Sequence, residues 1–461
     1  MDSAPRTDPL LDVLRDVVGA EHVLTDPELV APYTVDWSRR FAGPARAVVR
    51  PADTEQVAAV VRACVAAGAP VLPQGGNTGL VGGGVPASAP GPAGPPVVLS
   101  TRRLTRLDPV DDLSGQVTAG AGVTLGDLRR HVAAAGWEYG VDFAARDSAT
   151  VGGTVATNAG GIRVVAFGMT RAQVAGVEAV LPDGTVVSHL GGLLKDNTGY
   201  DLGALLTGSE GTLGVITAVR LRLHRPVGAT TVVLVGVDSY DEAMAAVRTY
   251  VAPGTRLLAA ELVDDVGMDL VMAVAGLPWP LERPHPLVLL LEVEDGGTGD
   301  GLVVPDDADV AAALDAGDQE RLWQYRERQS EAFSSLGVIH KLDVSVPLPA
   351  LARCAAELKQ AVAALDSVDR VGVFGHLADG NIHVEISGPD ADDLEADALV
   401  VETIARHGGS VSAEHGIGRA KAHWLPLSRS AAEIATMRRL KRALDPDGLL
   451  NPGVLLDDPT G

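Results

Sequence analysis

Between residues 47 and 84 the sequence commits the chain to a strand–helix–strand unit that runs straight into a glycine-dense loop. Residues 47–50 read as a short apolar strand, Asp53 with Gln56 as a capped helix start, Gly68 as the helix end, and 69–72 as a second strand. The loop that follows is Pro73-Gln74-Gly75-Gly76-Asn77-Thr78-Gly79-Leu80-Val81-Gly82-Gly83-Gly84. Backbone without side chains can approach a pyrophosphate closely, and consecutive amides can form an anion nest. A flexible surface turn is the other reading, but so many glycines directly after a buried strand favour phosphate binding. It is not a Walker loop, because none of the five lysines follows a glycine.

Two further segments repeat the theme. Gly120-Ala121-Gly122-Val123-Thr124-Leu125-Gly126 superficially suggests a dinucleotide fingerprint, but its last glycine falls one residue late. Thr124 with Asp127 reads better as a helix start, so a strand-to-helix turn is expected there. In the stretch 148–161, Ser148, Thr150, Gly152, Gly153, Thr157, Asn158, Gly160 and Gly161 combine hydroxyls with glycines at an expected helix start, offering donors to a second phosphate or a ring edge. Close helix packing would explain these glycines but not the hydroxyls. Residues 174–181 and 185–188 form a hairpin through Asp183-Gly184, and Gly208-Ser209-Glu210-Gly211-Thr212-Leu213-Gly214 leads into a strand over 215–223.

At 461 residues the chain exceeds one core and implies two or three domains. Its net charge of −23 argues against nucleic acid and anionic membrane surfaces as partners. Cys64 and Cys354 form no metal or disulfide pattern, residues 1–15 lack a signal-peptide pattern, and no apolar run reaches membrane-spanning length. A soluble, cytoplasmic protein is expected.

Past residue 227 strands and helices alternate, which predicts an antiparallel sheet with helices on one side. Residues 322–330 read as one helix, placing Arg326 and Ser330 on one face. Later comes Gly375-His376-Leu377-Ala378-Asp379-Gly380-Asn381-Ile382-His383-Val384-Glu385, a β-hairpin whose turn separates two histidines and whose period puts His383 and Glu385 on one face. Ser412-Ala413-Glu414-His415-Gly416 adds another imidazole and another carboxylate. Two imidazoles and a carboxylate make a three-ligand zinc set, whereas a hairpin with two satisfied histidines is equally compatible with the spacing.

Taken together, in order, these motifs resemble the FAD-linked D-2-hydroxyacid dehydrogenases, close to the D-2-hydroxyglutarate dehydrogenases, within the vanillyl-alcohol-oxidase type flavoproteins. The resemblance implies an α+β fold: a two-part FAD-binding domain over 1–226, a substrate and cap domain over 227–425, and a closing segment, 426–461, that returns to the FAD domain. It implies non-covalent FAD held by Gly75, Gly76, Asn77, Thr78, Gly79 and the 148–161 residues named above, with Glu210, Ile216 and Asn451 beside it. It implies a divalent metal on His376, His383 and Glu414 (zinc first, manganese or cobalt as alternatives) and His415 as catalytic base. Arg326, Ser330, Lys341 and Glu385 fall on substrate-contacting positions. Ser330 stands where Thr is usual, and Glu385 where the D-2-hydroxyglutarate enzymes carry Asn, so Glu385 is expected to alter substrate choice.

The implied reaction oxidises a D-2-hydroxyacid to the 2-oxoacid, with D-2-hydroxyglutarate or a related dicarboxylate first and D-lactate or glycolate second. An electron-transfer flavoprotein or a quinone is the implied acceptor, and a homodimer is possible for the family. A non-redox FAD-dependent ether-lipid synthase, a non-catalytic flavin protein and a flavin-free zinc hydrolase are the rival classes.

Overall fold

The computed structural model describes residues 8–456. Residues 1–7, part of the segment read for a targeting signal, lie outside the described residues. The chain divides into two compact units, one of 1–160, 169–226 and 415–461, the other of 161–168 and 227–414. In this division the second unit's long segment opens at Val227 and the chain re-enters the first unit at His415. Residues 161–168 also group with the second unit, so Gly160 and Gly161 fall on opposite sides of a division.

The first unit is built on two four-stranded sheets. One contains β1 (Val23–Leu24), β2 (Ala47–Val49), β3 (Val71–Gln74) and β4 (Val97–Ser100) in the order β1-β2-β4-β3. β2, β4 and β3 run parallel, with β1 antiparallel at the edge. Parallel strands need a crossover, and the helix Thr54–Ala66 supplies it, capped by the Asp53 carboxylate accepting from the Gln56 N–H at 2.8 Å. β2 and β4 are buried throughout, which is why they read as continuous apolar runs. The other sheet is antiparallel: β5 (Gln116–Gly120), β6 (Val174–Val180), β7 (Val186–His189) and β8 (Val215–Arg222), ordered β5-β8-β6-β7. The closing segment pairs with β3, Val71 N–H donating to Leu449 O and Asn451 N–H to Val71 O, both at 2.8 Å.

The second unit is one seven-stranded antiparallel sheet. Its strands are β9 (Thr230–Val237), β10 (Arg256–Asp264), β11 (Leu287–Glu294), β12 (Val310–Ala313), β13 (Ile339–Ser345), β14 (Arg370–His376) and β15 (Asn381–Ser387). Their order is β12-β9-β11-β10-β14-β15-β13. Helices cover both faces, not one as expected. Val263, Met268, Tyr325, Phe333 and Phe374 cluster beneath the helices Asp265–Ala275, Ala316–Glu327 and Gln329–Ser334. On the opposite face Lys359 of helix Leu348–Ala363 reaches Asp264, and Asp397 of helix Glu395–Arg406 holds His340. Central strands such as β11 are apolar on both sides, so each side needs a cover.

Candidate active site

In the first unit the glycine loop after β3 meets the 148–161 segment at backbone distance. A Cβ on Gly75 would lie 2.3 Å from Thr150 Oγ1, and one on Gly76 would lie 2.0 Å from Ser148 O. Only glycine permits that approach. Thr150 caps the short helix Val151–Thr157 by accepting from the Gly153 N–H, and Gly152 packs on Ala121. Nothing stands within 4 Å of a Cβ built on Gly79, so the loop's own edge is open there. Ser148 and Thr150, with Arg102, Gly122, Val123 and Thr124, also line a cleft of about 620 Å³. Thr124 caps the next helix, Leu125–Ala134, as expected.

The backbone adds a second signal. Six non-glycine residues have positive φ among the described residues, and four of them, Asn77, Asn158, Glu210 and Asn451, belong to the expected cofactor set. Such conformations cost free energy and persist where surrounding contacts over-determine them, often at binding sites. Asn77 donates to Pro32 O and Val35 O, and Asn158 Oδ1 accepts from the Arg171 N–H, so both side chains shape loops. The Asn451 amide donates to Gly83 O and Glu210 O, which leaves its buried Oδ1 without a hydrogen-bond donor among the described residues. A flavin ring carries an N–H of the kind that oxygen lacks, so these residues fit the cofactor. Ile216 is buried on β8. The Glu210 carboxylate accepts from the Ile417 and Gly418 N–H groups, both at 2.8 Å, and burial pushes its pKa up against those bonds. Its side chain thereby ties the segment after His415 into this unit.

The second unit gathers the other expected residues on the sheet face that carries Phe374. β14 ends at His376 and β15 begins at Asn381, with Gly380 at φ +85° making the turn, while Asn381 itself is extended strand. The two imidazole centroids lie 5.4 Å apart, nearly edge to face. Glu414 comes from a different element: Ser345 and Ser410 exchange backbone hydrogen bonds at 3.1 and 2.7 Å, carrying the chain along β13 until the Glu414 N–H donates to Asp343 Oδ2 at 2.8 Å. One ligand-type atom from each of His376, His383 and Glu414 then lies within 4.8 Å of the others.

Two residues without an assigned role in the sequence reading hold this group together. Glu261 on β10, 1% exposed, accepts from His376 Nδ1 at 2.7 Å and from Arg326 Nε at 2.6 Å. Asp343 on β13, fully buried, accepts from Asn381 Nδ2 and from the Glu414 N–H, each at 2.8 Å. The only sequence signal for either is a carboxylate inside an apolar strand. Burial pulls the His376 pKa down, but the Glu261 charge and hydrogen bond outweigh it and set it at about 9. Burial pushes Glu414 up to about 7 against the pull of His376, and likewise raises Asp379. Four carboxylates, Glu261, Asp343, Asp379 and Glu414, thus share this face with His376, His383 and Arg326, and this donor set fits a divalent cation.

Arg326 and Ser330 do not share one helix. The segment breaks at Arg328 between Ala316–Glu327 and Gln329–Ser334, so the two side chains address different groups. Arg326 lies over the Phe374 ring at 4.9 Å, with its Nη2 3.4 Å from His376 Nε2. Ser330 Oγ donates to Glu385 Oε1 at 2.9 Å, and Lys341 Nζ stands 3.6 Å from Glu385 Oε2. Burial raises the Glu385 pKa, with Lys341 partly offsetting it. His415 is half-buried and directly follows Glu414.

Comparison with known families and relatives identifies the chain as an FAD-dependent oxidoreductase. Residues 45–189 match the family described as FAD binding domain, and 228–455 match FAD linked oxidases, C-terminal domain. The mitochondrial D-2-hydroxyglutarate dehydrogenase of Bos taurus is 38% identical over 94% of this chain and 81% of its own length. A mitochondrial protein of Schizosaccharomyces pombe, provisionally named a D-lactate dehydrogenase, is 34% identical over 96% of this chain and 89% of its own. The solved 4-ethylphenol oxidase of Gulosibacter chungangensis shares the fold at 19% identity, with a TM-score of 0.73 over 99% of this chain and 98% of that one. The chain belongs to the FAD-linked D-2-hydroxyacid dehydrogenases, with the fold of the vanillyl-alcohol-oxidase type flavoproteins. Among the described residues no helix is long and apolar enough to cross a membrane.

Proposed function

We propose that this enzyme oxidises a D-2-hydroxyacid to the 2-oxoacid with a divalent metal, zinc by preference, held by His376, His383 and Glu414. What carries the reading is the gathering of one ligand atom from each of those three side chains within 4.8 Å, with Glu261 joining His376 to Arg326 beside them. Bound FAD supplies the acceptor for the hydride leaving C2. A bound metal supplies the charge that lowers the pKa of the substrate hydroxyl. His415 takes the hydroxyl proton as general base. Arg326 holds the C1 carboxylate: Glu261 takes only its Nε–H, which leaves terminal N–H groups for a second, charge-assisted partner. Glu261 accepts from His376 Nδ1, so the proton that a bound metal would displace is the one on Nε2, whose lone pair would then be presented.

FAD is held without a covalent bond, and electrons leave to an electron-transfer flavoprotein or a quinone. Cytoplasmic residence and a homodimer complete the reading; relatives named as mitochondrial make fractionation of the native host the check on the first. The ether-lipid rival has no use for a metal donor set at a substrate hydroxyl. The test is anaerobic: purified, metal-loaded protein is mixed with D- and L-isomers of 2-hydroxyglutarate, malate and lactate, and with glycolate, while flavin absorbance is followed. Bleaching by D-isomers only is expected, with the matching 2-oxoacid as product. Flavin that none of these acids reduces would refute the reading.

A further inference from the structure

We infer that the far end of the hydroxyacid site is built for a hydrogen-bond donor, so the acid it takes is a D-2-hydroxymonocarboxylate carrying further hydroxyl groups. The inference rests on the reading just given and adds the substrate class. Glu385 lies opposite Lys341 on β13 and Gly372 on β14, on the same strand face as His383. The position beside it at Gly372 is filled by the Phe333 ring, which stands 2.1 Å from where a Cβ would be. One Glu385 oxygen, Oε1, takes the single proton of the Ser330 hydroxyl. The other, Oε2, is buried and accepts no hydrogen bond among the described residues, with Lys341 Nζ at ion-pair distance, 3.6 Å. Lys341 donates instead to Ser330 O and Ser334 Oγ, both at 3.2 Å.

Ser330 and Lys341, the two donors at this end, are therefore engaged within the protein. A carboxylate arriving here would bring further acceptors to an end whose donors already serve Glu385, Ser330 O and Ser334 Oγ. A hydroxyl would meet the reverse: a buried acceptor lacking a donor, which is the costly condition in a folded protein and the one a ligand relieves. Residues two apart on a strand are separated by about 6.6 Å, so a chain of about four carbons reaches from the His383 end to Glu385. Nothing in the oxidation changes; the hydroxyl at C2 still loses its proton and C2 its hydride, while the distal hydroxyls only bind.

The experiment compares four acids by anaerobic flavin reduction and steady-state turnover with an artificial acceptor: D-erythronate, D-2-hydroxybutyrate, D-malate and D-2-hydroxyglutarate. Erythronate and hydroxybutyrate share a chain length and differ in the distal hydroxyls. The parent enzyme should favour erythronate over each of the other three by roughly tenfold or more in kcat/KM, the size of one buried hydrogen bond. Glu385→Asn and Glu385→Gln should each cut the erythronate to 2-hydroxyglutarate ratio by a similar factor, mainly through KM, with FAD content unchanged. A parent enzyme that prefers 2-hydroxyglutarate, or ratios unmoved in both variants because Glu385 Oε2 meets only water, overturns the inference while leaving the dehydrogenase reading standing. If none of the four acids reduces the flavin, the inference falls, and the dehydrogenase reading falls with it only when D-lactate and glycolate also leave the flavin oxidised.

Discussion

Replacing Glu261 by Gln removes one charge from the centre of the second unit while keeping its shape. The carboxylate is 1% exposed and serves two cations at once, Arg326 Nε at 2.6 Å and His376 Nδ1 at 2.7 Å. At an effective dielectric of about 20 a unit charge pair about 4 Å apart is worth roughly 4 kcal/mol. Gln can accept from one of the two donors but must turn its own NH2 toward the other. Loss of one partner of a buried pair costs about 3–5 kcal/mol when a charge is stranded. The surviving neutral bond and the Phe374 ring under the guanidinium, at 4.9 Å, soften that. A net loss of about 2–3 kcal/mol in denaturant unfolding of FAD-loaded protein is expected. Because His376 loses the acceptor that fixes its Nδ1–H tautomer, metal affinity should also fall by about 10–100-fold, read by competition with a chromophoric chelator. KM for the acid should rise as Arg326 loosens. A variant with unchanged metal affinity and unchanged KM would refute the idea that Glu261 sets both groups, whatever its stability.

His376→Ala, His383→Ala and Glu414→Ala should each lose bound metal and most turnover while keeping a full complement of FAD; equal metal content in all three and the parent would remove the triad. His415→Ala should keep metal and substrate binding but lose about 10²–10⁴-fold in kcat, and a loss confined to KM would take the base role from it. Heat or acid should release FAD from the polypeptide, and a flavin adduct on the intact mass would contradict non-covalent binding.

What could be read from the sequence was whatever neighbours in the chain decide between themselves. The glycine loop at 75–79, the cap at Thr124 and the His376–His383 hairpin each depend on residues a few positions apart, and each forms where the spacing predicts. Local spacing misled at 322–330, where the turn of helix that should carry Arg326 and Ser330 together breaks at Arg328. The break lets Arg326 serve Glu261 and Ser330 serve Glu385, two groups on different strands. The helices on the second face of the large sheet were missed because a strand apolar on both sides gives no alternation to follow.

The residues that escaped notice share a physical trait. Glu261 is 115 positions from His376, and Asp343 is 71 from Glu414, so no window of sequence contains either pair. Each nevertheless sits in an otherwise apolar strand, where an unpaired carboxylate would be too costly to keep. A charged residue inside such a run therefore predicts a partner, though not its address. β10 supplies two examples, since Glu261 faces His376 while Asp264, three residues on, points to the opposite face and pairs with Lys359 at 2.8 Å. Only the second is a stability device alone: it caps the helix Asp265–Ala275 and accepts from the Val373 N–H, and it touches none of the expected site residues. Strand parity separates the two. Residues of β10 in phase with Glu261 lie over β14 beside His376, in the register Glu261 to His376 and Val263 to Phe374. Once the antiparallel pairing of β10 with β14 is known, period two alone decides which buried acid can orient a ligand and which can only hold the fold.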